Sequence, residues 1–295
     1  FDENESGGDY TYNDGTEEFE FVGVGLGTHD KGYFHGNAGL SIIINEDGND
    51  FQVFGPGGAE NDSSGVSYRQ LLIDSGALDI EGMADMRQSE SSHDHTTVLE
   101  IDVALLGQAG LFPENGLLYT AHYGMEDGTE AKGVLLKNGS ELAGRLTVAC
   151  EGSIYIQGDY NTVDKQGASV IGDAVNLLSN SWDGSKTPGS LPAATETTYN
   201  CAFITGNYES EGGRYNGGLE NLPRFHENWR NINCNITGSF VNTWDSAYAT
   251  GDWRYGSDRY KAPRRNWSYD TDFNQVGSLP PFTPMVVNSR QVVSW

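Results

Sequence analysis

The chain has 295 residues and carries 42 Asp and Glu against 17 Lys and Arg, a formal net charge of −25. That balance excludes a nucleic-acid partner, because phosphate binding needs a basic face. With 15 Tyr, 12 Phe and 6 Trp the chain has the apolar mass to bury a core, which excludes disorder, and no run approaches the ~18 apolar residues of a membrane-spanning segment.

In chain order, residues 1–18 read as a flexible, acidic arm in which Phe1, Tyr10 and Tyr12 are the aromatic anchors. Its first residues are acidic and polar and do not form a signal peptide. Strands are predicted over Phe19–Val24, Gly39–Asn45 and Phe51–Phe54, with Asp47-Gly-Asn49-Asp50 as a hairpin-type turn between the last two. Residues 55–66 are a Gly/Asp/Ser loop, and the chain divides into an arm-and-hairpin region, 1–65, and a body, 66–295.

In the body, short apolar runs end in Gly. Helical signals are few: a turn over Val103–Gly107, and short pieces within Gly217–Trp229, where Pro223 prevents a longer helix. An apolar-x-Gly core recurs at Gly144, Gly158, Gly172, Gly206 and Gly238, with separations of 14, 14, 34 and 32 residues. A glycine-marked corner between strands suits a bend with positive φ or a close backbone approach. The expected fold is therefore all-β: a β-solenoid-like body (a parallel β-helix) with irregular loops, and a β-sandwich as the alternative.

Few residues point to chemistry. No nucleophile elbow, zinc-protease helix or phosphate-binding glycine loop is present, and His93-Asp94-His95 reads as a solvated loop. The expectation is a non-enzymatic protein. Calcium is the expected ion, if any: Asp2, Asn4 and Ser6 have the opening spacing of a calcium loop, although its twelfth position falls on Asn13 rather than a bidentate Glu, and Asp47, Asn49 and Asp50 form a second oxygen-rich turn. Three cysteines allow at most one internal disulfide, with Cys201–Cys234 the preferred pair in an oxidising compartment. The C-terminal third is rich in aromatics, most of them expected to fill the end of the core. Within it Trp244, Trp253, Tyr255 and Trp267 lie beside Arg264 and Arg265, a set able to contact an acidic neighbouring subunit.

Several blocks occur in a fixed order. They are Glu100-Ile-Asp-Val103 leading to Phe112-Pro-Glu-Asn-Gly-Leu-Leu-Tyr119, Lys137-Asn-Gly-Ser-Glu-Leu142 leading to Leu146-Thr-Val-Ala149, and Ile154-Tyr-Ile-Gln-Gly-Asp-Tyr-Asn161. Gly172-Asp-Ala-Val-Asn-Leu-Leu-Ser-Asn180-Ser-Trp182, Gly217–Phe225 with Glu227-Asn-Trp229, Gly238-Ser-Phe-Val-Asn242, Ala249-Thr-Gly-Asp-Trp253 and Ala262-Pro-Arg-Arg-Asn-Trp267 follow, running on to Asp270-Thr-Asp272. Over residues 66–285 this order resembles the C-terminal region of large bacterial PilX-like proteins, which are pilus-assembly-associated or surface proteins. The resemblance implies an exported, β-rich protein linked to pilus-like or related surface systems, at the bacterial surface or outside the cell, with no established enzyme activity; the expected partners are proteins, in self-assembly or in another surface assembly. The alternative from the residues themselves is a carbohydrate-binding or carbohydrate-active protein with glycan partners.

Overall fold

The computed structural model describes residues 9–13, 18–22, 32–45, 50–83, 85, 96–122, 132–184, 191–206, 222–244, 246 and 260–283. Strands β1 (Asp9–Asn13) and β2 (Glu18–Val22) pair antiparallel in a two-stranded sheet of their own. The body consists of two larger sheets. The nine-stranded sheet holds β3 (Leu40–Ile44), β4 (Phe51–Phe54), β7 (Leu117–His122), β9 (Leu146–Cys150), β11 (Ala168–Gly172), β13 (Thr197–Tyr199), β14 (Ala202–Gly206), β16 (Asn233–Trp244) and β17 (Arg264–Tyr269). The six-stranded sheet holds β5 (Leu78–Met83), β6 (Thr96–Asp102), β8 (Lys132–Lys137), β10 (Ser153–Gln157), β12 (Ala174–Leu178) and β15 (Arg224–Phe225).

From β6 to β12 the chain alternates between the sheets, and each strand pairs in parallel with the one two further on. Parallel neighbours ordinarily need a crossover of a dozen residues or more. Here the intervening strand of the opposite sheet is itself the crossover, so Glu151–Gly152 suffice between β9 and β10, and Asp173 alone between β11 and β12. Antiparallel strands lie at one edge of each sheet, β4 on β3 and β5 on β6.

Alternate side chains of both sheets meet in one core, including Ile42, Leu99, Val134, Val148, Ile154, Val170, Leu177 and Phe203. The outer face of the nine-stranded sheet is apolar too, with Ile43, Tyr119, Ala149 and Ile171 beneath Phe34 and Phe282. Val98, Leu135, Tyr155, Leu178 and Trp182 form a smaller cluster outside the six-stranded sheet. With both faces covered, β3, β7, β9 and β11 are buried throughout, which is why they read as mainly apolar runs, with Ser41, Thr120, His122, Thr147 and Ser169 buried among them, and not as a regular alternation of apolar and polar residues.

Among the described residues there are three short α-helices: α1 (Gly32–Asn37), α2 (Tyr68–Ser75) and α3 (Val103–Gln108). Helix α3 occupies the predicted helical turn. The Asp102 carboxylate starts it by accepting the Leu105 N–H at 2.9 Å. Helix α2 was not anticipated; it seats Leu72 in the main core and ends on Gly76 at a φ of 66°.

The expectation of an all-β solenoid, or of a β-sandwich, is overturned. The protein is a mixed α/β structure of two open, mostly parallel sheets with a few short helices. A sandwich needs antiparallel pairing, and here nearly every ladder is parallel. The glycine recurrence misled because its members do different things. Gly158 turns the chain with a φ of +78°, and Gly172 and Gly206 end β11 and β14. Gly238 lies inside β16, where an added Cβ would stand 1.8 Å from the Cys201 carbonyl oxygen. A shared local pattern therefore does not imply a shared repeat unit. The helical pieces expected over Gly217–Trp229 are also corrected: Arg224–Phe225 is strand β15, entered through a cis Leu222–Pro223 bond, while residues 217–221 lie outside the described set. Finally, β3 and β4 from the region 1–65 share the sheet and the core of the body.

Candidate assembly interface

The long strand β16 bridges two neighbourhoods. Its first half lies between β13 and β17, from Thr197↔Cys234 on one side to Asn233↔Arg264 on the other. Its second half pairs with β14. Strand β17 is thus the outermost strand, and among the described residues nothing pairs with its far edge. Pro263 precedes it, as suits an edge. The Arg264 N–H donates to the Ile232 carbonyl to begin the ladder, and the Asp270 N–H donates to the Gly238 carbonyl to close it. The Asp270 carboxylate then accepts the Asp272 N–H and Lys165, tying the end of the strand to the body.

The two faces of β17 differ because successive side chains alternate. Arg265, Trp267 and Tyr269 share a face with their cross-strand partners Cys234 and Ile236, both buried. Trp267 is partly buried against the main core. Rings lead outward from that core: Phe203 stacks on Phe240 at 5.3 Å, Phe240 meets Trp267 at 5.2 Å, and the Arg265 guanidinium lies 5.1 Å from the Trp267 ring. Phe203 is fully buried, whereas Phe240 is 39% and Tyr269 54% exposed. The other face carries an amide ladder. Asn266 donates to Asn235 at 2.8 Å, and Asn235 and Asn233 donate to Glu196.

The edge is also basic within an acidic chain. Arg264 and Arg265 are exposed, and among the described residues neither is paired with a carboxylate. Arg230 and Lys261 flank the strands that lead into it. Among the described residues the edge therefore offers unpaired backbone, an aromatic cluster opening from the core, and positive charge.

The structure brings together Arg264, Arg265 and Trp267 of the sequence-derived contact residues. Trp244 ends β16, and Tyr10 and Tyr12 lie on β1. Phe1, Trp253 and Tyr255 lie outside the described residues, as do Asp2, Asn4, Ser6, Asp47, Asn49 and His93–His95. Of the calcium candidates, Asp50 is described. It pairs with Arg69 at 2.5 Å, and hydrogen bonds from Arg69 and from the Phe51 N–H hold its carboxyl below the usual value. Of the aromatics in the C-terminal third, Tyr199, Phe203, Phe225, Trp229 and Tyr260 do fill the core.

Cys150, Cys201 and Cys234 are free, buried thiols, so the expected Cys201–Cys234 bridge is corrected. Cys201 sits against Gly238, four residues along β16 from Cys234. At ~3.3 Å per residue that separation of roughly 13 Å is well beyond the ~7 Å that a disulfide spans. Burial pushes the thiols of Cys150 and Cys234 up to about 12, and that of Cys201 further.

A second polar cluster was not legible in the sequence. On the outer face of the six-stranded sheet, Tyr155 donates its hydroxyl to Asp85, and His226 Nε2 meets Asn176 Oδ1 at 2.9 Å. The His226 Nδ1 lies 3.7 Å from Asp85, and Arg224 is the cross-strand partner of Asn176. Burial, then the Asp85 charge, raises the Tyr155 phenol, and burial lowers the Arg224 guanidinium. All five side chains are buried. The one signal in the sequence is a polar Asn176 within the apolar run AVNLL. The cluster therefore lies within the packing of β10, β12 and β15.

Fold and site together describe a mixed α/β protein of two mostly parallel sheets with one exposed, basic and aromatic edge strand. Compared with models of protein families, with curated proteins and with solved structures, the chain matches none. Among the described residues no helix is long and apolar enough to cross a membrane.

Proposed function

We propose that this chain is a non-enzymatic structural or adhesive protein of the bacterial surface, a subunit of a pilus-like or other filamentous assembly that adds its neighbour along β17. The observation that carries this reading is the β17 edge, unpartnered among the described residues, with Arg264 and Arg265 exposed beside the Phe240–Trp267 aromatic pair. An open edge is a template for strand addition. Soluble proteins usually blunt such an edge, and the chemistry here suits an acidic, aromatic partner. The resemblance to PilX-like proteins agrees with this reading and supplies the surface location.

Light scattering and electron microscopy of the purified chain over a range of concentration and salt test it. Concentration-dependent assembly that weakens as salt screens the edge supports the reading. A chain that stays monomeric at every concentration overturns it. The exposed ring of Tyr269 favours one second reading, a glycan-binding surface, and binding on a glycan array by an otherwise monomeric chain would establish that instead.

A further inference from the structure

Strand β17 reads Arg264-Arg265-Asn266-Trp267-Ser268-Tyr269, and five of its six residues are exposed. Its ladder with β16 is parallel, and the N–H groups of Arg264 and of Asp270, just past the strand, donate to the Ile232 and Gly238 carbonyls. Alternate residues face the neighbouring strand in such a ladder. Arg264, Asn266 and Ser268 therefore turn their backbone groups toward β16, and Arg265, Trp267 and Tyr269 turn theirs outward. At the opposite edge of the same sheet β4 is capped: the Phe51 N–H donates to the Asp50 carboxylate, and the Phe51 carbonyl accepts from Arg69 Nε. Among the described residues the outward groups of β17 have no such cap.

The same strand of a second copy fits this edge when it runs antiparallel. Two such strands hydrogen-bond where outward residues meet outward residues, and a register centred on Trp267 meets that condition. It sets Trp267 opposite Trp267 of the second copy, Arg265 opposite Tyr269, and Asn266 opposite Ser268. The paired chemistry matches. The exposed Arg265 guanidinium meets the ring of Tyr269, itself 54% exposed. Asn266 donates its amide to Asn235, which leaves its side-chain oxygen to accept the Ser268 hydroxyl. Arg264 falls at the end marked by Asp270 and Asp272, two carboxylates that share Lys165. The basic start of each strand thus lies against the acidic end of the other, whereas parallel pairing would set arginine beside arginine. Resting on the assembly reading above, we infer that the neighbour of β17 is β17 of a second copy of this chain, paired antiparallel about Trp267. Such a contact is isologous and closes in pairs, so the pair is the unit from which a longer assembly grows.

Substitutions in the full-length chain test the pairing and its register. Tyr269→Arg sets like charges at both ends of the contact and is expected to pair at least about tenfold more weakly than wild type in sedimentation or light scattering. Adding Arg265→Glu to it restores opposite charges at the same positions and is expected to recover the pair. Cysteines read the register directly. Asn266 and Ser268 of opposed strands form a pair whose Cα atoms lie ~4.5 Å apart, within disulfide reach, whereas identical positions lie ~7–8 Å apart. An oxidised mixture of Asn266→Cys with Ser268→Cys is therefore expected to cross-link faster than either variant alone, with wild type, whose three thiols are buried, as the control. Unchanged circular dichroism and melting temperature establish that each variant is folded. If Tyr269→Arg weakens association but the mixture cross-links no faster than the single variants, the antiparallel β17 pair is overturned, although assembly along β17 stands. If wild type associates and neither set of variants responds, the contact lies elsewhere and the inference falls. A wild-type chain that is monomeric throughout overturns this inference and the assembly reading together.

Discussion

Gly238→Ala isolates the closest backbone approach in the nine-stranded sheet. The new methyl carbon would stand 1.8 Å from the Cys201 carbonyl oxygen and 2.8 Å from its carbonyl carbon. A carbon and a carbonyl oxygen settle at ~3.3 Å or more, so roughly 1.5 Å must be found. The obstruction is main chain at the entry to β14, and Cys201 is fully buried, so no side chain can swing aside. Overpacking typically costs ~1–3 kcal/mol, occasionally more, and the upper end applies where backbone must move. In a protein of this size each kcal/mol lowers the melting temperature by about 2–4 °C, which gives a fall of roughly 6–12 °C. Gly277→Ala is the control, because a Cβ there meets nothing within 4 Å. Thermal unfolding followed by circular dichroism reads both. If Gly238→Ala melts with wild type and Gly277→Ala, the close approach of β16 to Cys201 is not a feature of the folded protein.

Trp229 is fully buried, with its ring 5.6 Å from Phe225; Trp229→Ala should cost about 3–5 kcal/mol in denaturant unfolding, and a loss below ~1 kcal/mol would place it outside the core. Glu227 is buried while accepting from the Ser179 N–H and hydroxyl, and burial raises its pKa despite those bonds. A folded-state pKa above the unfolded value gives stability that is present at low pH and lost as pH rises through the folded value. Glu227→Gln keeps an acceptor for the Ser179 N–H, so its stability relative to wild type should improve from acidic to neutral pH, and a change of the opposite sign would refute the assignment. Calcium, if it is bound, adds stability in proportion to its occupancy of the native state. A chelator should then lower the melting temperature, and an unchanged value removes calcium as a structural cofactor.

The sequence alone determined the local features. Phe51–Phe54 is a strand as predicted, Leu40–Ile44 falls within its predicted strand, and the two pair antiparallel. Asp102 starts a helix at the expected Val103. Arg264, Arg265 and Trp267 stand out in the sequence as candidate contact residues because cations are scarce in so acidic a chain and cluster there with large rings, and the structure places all three on β17. Each of these rests on neighbours in sequence, where propensity and capping act directly. Tertiary structure decided the rest. Whether Gly238 bends the chain or admits the backbone of Cys201 depends on a residue 37 positions away. Whether Cys201 reaches Cys234 depends on strand register, which no spacing of cysteines encodes. The choice of two open parallel sheets over a coil or a sandwich depends on which strand pairs with which, and with both faces buried the apolar runs of β3, β7, β9 and β11 carry no alternation to specify it. The edge position of β17 among the described strands is the same kind of fact: it depends on which strands pair and not on the composition of β17 itself.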